Sequence, residues 1–106
     1  MGEKAYIIIL DKFGNDRLRL KIVTVKGKIS YFVIQFETFI DNNWHSIVRY
    51  DNAHGFFHRD VMNHKGEKEK QAINIINLED AFSYAQQDLK DRWDFYKERY
   101  LKQLRK

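Results

Sequence analysis

Hydrophobic and polar positions alternate along the first three-quarters of the chain, then change period. Ala5–Leu10 is an apolar, isoleucine-rich run, closed by Asp11-Lys12-Phe13-Gly14-Asn15-Asp16, a loop with hairpin chemistry. Leu18, Leu20 and Ile22 then alternate with Arg17, Arg19 and Lys21, the period of two expected of a strand with one wet face. Lys26-Gly27-Lys28 supplies a turn. Ile29–Phe39 is a long β-prone run with Phe32, Ile34 and Phe36 on one parity and Gln35 and Glu37 on the other. Asp41-Asn42-Asn43 turns the chain again. Trp44–Tyr50 reads as a fourth strand and Phe56–Met62 as a fifth, joined by Asn52-Ala53-His54-Gly55. After His64-Lys65-Gly66-Glu67, a short sixth strand is predicted to end near Ile76. Loops this short and regular make an antiparallel meander.

From Asn77 onward the period becomes helical. Asn77 is a good N-cap, and Glu79 and Asp80 suit the first turn of the macrodipole. Phe82, Ala85, Leu89, Trp93, Tyr96, Tyr100 and Leu104 recur at spacings of three and four, one apolar stripe. Arg99, Lys102, Arg105 and Lys106 place cations at the far end. A helix over residues 78–104 is roughly 40 Å long at about 1.5 Å per residue. That exceeds the width of such a sheet, leaving the last turns to project or to meet a partner, a second copy of the chain included. The expected fold is α+β: a twisted antiparallel sheet over residues 5–76 with the helix packed on one face, all in one domain spanning 1–106.

Composition narrows the classes. The chain has no cysteine, so disulfides and thiolate metal sites are excluded. Its longest clean apolar run is too short to span a bilayer or to form a signal-peptide core, so the expected location is the cytoplasm. Lys and Arg total 19 against 15 Asp and Glu. The excess crowds the first strands as Lys12, Arg17, Arg19, Lys21, Lys26 and Lys28, which suits a solvated sheet face or a polyanion-binding groove.

Chemistry concentrates between Arg49 and His64. All four histidines, His45, His54, His58 and His64, lie within a fifth of the chain. A hairpin centred on Ala53 and His54 would set Arg49 across from His58, Tyr50 across from Phe57, Val48 across from Arg59 and Ile47 across from Asp60. Asp51 and His54 would then sit at the adjoining tip. Three readings follow. Asp51, His54 and His58 are trial ligands for a metal-dependent hydrolase, but in extended chain the two histidines lie about 13 Å apart, too far to share an ion unless the loop bends back. Metal-free cleavage of RNA is the second, needing no cofactor: His54 and His58 as the proton-transfer pair, Arg49 and Arg59 on phosphate, Tyr50 as a further donor and Asp51 orienting an imidazole. The third makes the same residues ordinary cross-strand pairs around a turn, as in a non-catalytic protein- or nucleic-acid-binding module.

The string Arg49-Tyr50-Asp51-Asn52-Ala53-His54-Gly55-Phe56-Phe57-His58-Arg59-Asp60 resembles the signature of small prokaryotic TumE-like toxins of toxin–antitoxin pairs and of related uncharacterised families. Their pattern is Arg-Tyr-Asp, a few residues, His-Gly, then His-Arg-His or His-Arg-Asp. Here Asp60 stands where toxin-like members often carry a third histidine. The resemblance implies a toxin whose partner is a small DNA-binding antitoxin encoded beside it, with Arg49, Tyr50, Asp51, His54, His58 and Arg59 as the motif residues. Joined to the acid–base reading above, the expected function is that of a toxin-like, RNA-directed protein.

Overall fold

The computed structural model describes residues 1–104, with backbone alone at His54; the expected terminal cations Arg105 and Lys106 lie outside the described residues. Six strands run in chain order: β1 (Gly2–Ile9), β2 (Asp16–Val25), β3 (Lys28–Ile40), β4 (Asn43–Asp51), β5 (His58–Met62) and β6 (Lys68–Ala72). One helix follows, α1 (Leu78–Leu104). Each strand pairs antiparallel with its predecessor, giving a single sheet in the order β1-β2-β3-β4-β5-β6. The α+β meander read from the alternation is the fold observed.

Two tight turns set the register of the central strands. Lys26 and Gly27 (φ 53° and 77°) join β2 to β3, and Asp41 and Asn42 (φ 52° and 66°) join β3 to β4. Positive φ at both central residues matches the right-handed twist of the flanking strands, and Gly, Asn and Asp enter that region at least cost. Bulges at Val23/Thr24 and Phe36/Glu37 add further twist.

The helix covers one face of the sheet, packed against β3 and β4. Leu18, Leu20, Phe32, Ile34, Phe36, Val48 and Tyr50 meet Ala81, Ala85, Leu89, Tyr96 and Tyr100 there, nearly all without solvent contact. Each large apolar side chain so buried contributes about 1.5–3 kcal/mol. Asn77 caps α1 as expected, its Oδ1 accepting the Asp80 amide at 3.0 Å. Glu79 accepts the Ile29 amide at 2.9 Å, fixing the first helical turn to the start of β3. Leu104, the last residue of the expected stripe, is exposed, whereas Ala81 joins the core.

Three boundaries differ from the sequence reading by two residues or more, the first being β1, which starts at Gly2 rather than Ala5. β5 starts at His58 rather than Phe56, because a 3-10 turn at Ala53–Gly55 lengthens the preceding loop. Phe57 leaves that loop for the core and stacks on Tyr50, ring centroids 5.6 Å apart. β6 stops at Ala72; Ile73 makes one further backbone bond, its amide donating to the Phe57 carbonyl at 3.0 Å, and Ile73 and Ile75 pack against the core.

Candidate functional site

Side chains alternate across a strand, so the cross-strand register decides which chemistry is shared. Two rows cross all six strands on the face opposite the helix. One is Ile7, Arg19, Gln35, Arg49, Asp60 and Lys70. The other is Ala5, Lys21, Val33, Asp51, His58 and Ala72. His58 therefore pairs with Asp51, and Arg49 with Asp60, a shift of two residues from the expected hairpin. The longer loop is the cause. Because the shift is even, Arg49 and His58 still share a face, and Asp51 moves from the tip into the strand.

A chain of polar contacts runs through these rows. Arg17 Nε donates to Glu37 Oε1 at 2.8 Å, and Gln35 Nε2 donates to Glu37 Oε2 at 2.6 Å. Arg49 donates from Nη1 to Gln35 Oε1 at 3.3 Å and from Nε to Asp51 Oδ2 at 2.7 Å. His58 Nε2 lies 3.1 Å from Asp51 Oδ1 and 3.8 Å from Asp60 Oδ2, and Lys68 Nζ stands 4.0 Å from the same Asp60 oxygen. Burial pushes the Asp51 carboxyl up. The Arg49 hydrogen bond, the Ala53 amide and the charges of His58 and Arg49 outweigh it and hold the group below the usual carboxylate range.

Depth sorts these charges by sign. The side chains of Glu37, Asp51 and Asp60 are 4–6% exposed, whereas those of Arg49, Lys21 and Arg19 are 37%, 49% and 58% exposed. Carboxylates form the floor and cations the upper layer, so an approaching ligand meets positive charge; exposed Glu3, paired with Lys21, is the exception. Between these cations lies a concave space of about 700 Å³ lined by Ala5, Ile7, Tyr31, Val33 and Gln35 together with Arg19, Lys21 and Arg49. Farther along the same face, the Arg17 guanidinium stacks 3.6 Å over the ring of half-exposed Trp44.

His58 itself is buried, with Nδ1 3.3 Å from the Phe56 carbonyl and the Phe56 ring against it at 5.0 Å. Both ring nitrogens face oxygen acceptors. His54 sits in the 3-10 turn, where the neighbouring Ala53 amide donates to Asp51 Oδ1 at 3.0 Å. Its side chain lies outside the described residues. Among those residues, no three His, Asp or Glu side chains are grouped to hold a metal; of the trial set Asp51, His54 and His58, the His54 side chain falls outside them.

Tyr50 and Arg59 lie on the other face, under the helix. The Tyr50 and Tyr96 hydroxyls both donate to Asp88 Oδ2, at 2.6 and 2.7 Å. Arg59 Nη1 donates to both tyrosine oxygens, at 3.2 and 3.0 Å, and the rest of its guanidinium contacts Gln71. Burial first, and the Asp88 hydrogen bond second, push the Tyr50 hydroxyl well above its ordinary range. The motif thus splits by strand parity: Arg49, Asp51 and His58 come together, whereas Tyr50 and Arg59 fasten the helix. His45 is engaged elsewhere, near Tyr100 and the Ile40 carbonyl. Sequence reading missed three residues. Gln35 and Glu37 carried a signal as two long polar side chains on the wet parity of the central strand; Asp88 carried none.

Among the described residues, no helix is long and apolar enough to cross a membrane. No curated protein and no solved structure matches the chain. Over residues 1–106 it matches the family described as a domain of unknown function, DUF7718, and it belongs to that family.

Proposed function

We propose that the protein acts on RNA through the open face of its sheet, holding a phosphate at Arg49, and that it serves as the toxin of a toxin–antitoxin pair. The observation that carries the reading is the Arg49 guanidinium, clamped from below by Asp51 and Gln35 and still partly exposed above them. Held this way, it loses little side-chain freedom on binding and presents further N–H groups toward an anion. The exposed Arg19 and Lys21 extend the positive layer along the same face. The likeness of the Arg49–Asp60 string to TumE-like toxins supports the cellular role.

Cleavage is a second reading, favoured by the pairing of His58 with Asp51 directly beside Arg49. Asp51 orients the imidazole, and His54 on the adjoining turn supplies the other member of a proton-transfer pair. His58 is buried with both ring nitrogens on acceptors, so this reading requires it to leave one of them. The 2′-hydroxyl would then lose its proton to one imidazole and the leaving oxygen would gain one from the other, with no cofactor.

Growth after induction tests the proposal. The wild-type gene should halt growth, and an Arg49/His54/His58 triple-alanine variant of equal soluble expression should not. Co-expression of the neighbouring gene product should restore growth. Normal growth under wild-type induction would remove the toxin role.

A further inference from the structure

The concave space beside Arg49 is not a simple phosphate site. Its lining carries two apolar strips, Ala5 and Ile7 on β1 and Val33 with Tyr31 on β3. Ile7 is half exposed, so the first strip is open to a ligand. Arg19 and Lys21 on β2 stand between these strips, and Arg49 on β4 stands beyond the second. Register sets Arg19 and Arg49 two strands apart in one row, with Gln35 between them. At about 4.8 Å per strand step their backbones are roughly 10 Å apart. Both guanidiniums reach toward β3, Arg19 Nη1 standing 3.5 Å from Glu37 Oε2 and Arg49 Nη1 donating to Gln35 Oε1 at 3.3 Å.

An inorganic anion would use the cations and leave the apolar strips wet. A base-paired duplex would present only its backbone and keep its flat base faces stacked away from Val33 and Tyr31. An unpaired nucleotide satisfies both halves of the site. Its phosphate meets a guanidinium, and its base lies on aliphatic and aromatic side chains. Gln35 holds a carboxamide at the centre of the row. We infer that this notch receives an unpaired nucleobase and its sugar, so that the ligand of the open face is a single strand of two or more nucleotides with one phosphate at Arg49. The inference rests on the RNA reading above and names the form of RNA involved.

The experiment compares three probes against the full chain by fluorescence anisotropy: a labelled RNA single strand, an abasic strand of equal length and charge, and the same RNA annealed into a duplex. Base stacking on such a platform is expected to favour the base-bearing strand over the abasic one by roughly ten-fold. Tyr31→Ala and the shape-conserving Val33→Thr should shrink that preference toward parity and leave abasic binding in place. Arg49→Ala should weaken both strands, by roughly ten-fold or more. Thermal melts confirm that each variant is folded. Equal affinity of wild type for base-bearing and abasic strands would overturn the notch and leave the phosphate anchor standing. Tighter binding of the duplex would also overturn it. Failure to bind any of the three would overturn the RNA reading itself. A polyglutamate peptide that displaces the strand at equal charge concentration would assign the face to an acidic protein instead.

Discussion

Asp51 is the residue on which the open face turns. Its two oxygens hold Arg49, His58 and the Ala53 amide together, and removing its charge strands two buried or half-buried partners. Asp51→Asn should destabilise the fold by about 1–3 kcal/mol, a figure kept low because Arg49 is partly solvated. The same residue sets an acid dependence. Its carboxyl is held below the ordinary value in the folded chain, so it stabilises the fold above the unfolded carboxylate pKa of about 4. That contribution is lost as the pH falls from there through the lower folded value. Denaturant midpoints between pH 5 and pH 2.5 should therefore fall more steeply for wild type than for Asp51→Asn. Parallel curves would show that Asp51 carries no net favourable interaction.

Among the elements, β2, β3, β4 and the helix were legible in the sequence because each buries one face and the hydrophobic period follows from that. By contrast, β1 and β6 are exposed almost throughout and were marked by an isoleucine run and by flanking turn residues. The face assignments were legible too. Any hairpin register that pairs odd with even positions puts Arg49 and His58 on one face and Arg59 on the other, and the even shift left that unchanged. The register itself was not legible, because a 3-10 turn with Phe57 drawn into the core looks in sequence like a plain loop followed by a strand. Asp88 was equally hidden. A lone aspartate on a charged helix gives no local sign that two tyrosines from β4 and α1 converge on one of its oxygens.

That convergence fixes the helix to the sheet and leaves a signature in alkali. The buried hydroxyls of Tyr50 and Tyr96 are pushed above their ordinary value by burial and by Asp88, so the folded chain keeps them neutral. Their contribution is full below the unfolded tyrosine pKa of about 10 and is lost as the pH rises beyond it. Tyrosinate absorbance of those groups should appear only together with loss of the far-ultraviolet helix signal. Asp88→Asn should cost about 1–3 kcal/mol at neutral pH and weaken that coupling. Ionisation of all six tyrosines ahead of unfolding would contradict the contact.

At the level of the whole molecule, one helix on one face leaves the other face of a six-stranded sheet to solvent. An antiparallel sheet tolerates this when the free face is polar. Here the free face is more than polar. Its central carboxylates are buried, its cations stand above them, and apolar strips lie among those cations. The two edges also differ: β6 is short and carries Lys68, Glu69 and Lys70, whereas β1 runs along the notch with Ile7 exposed. The charge of the chain, modest as a sum, becomes directional once the fold sorts it by depth.

The measurement closest to the central claim maps a single-stranded RNA onto side chains rather than onto the backbone. Titration of arginine- and methyl-labelled protein by NMR separates the two faces of the sheet. The expected result is movement of the Arg19 and Arg49 side-chain signals and of the Ile7 and Val33 methyls, with Arg59 and Leu89 unmoved. Shifts confined to the helix side, or none at RNA concentrations that saturate the anisotropy signal, would contradict it.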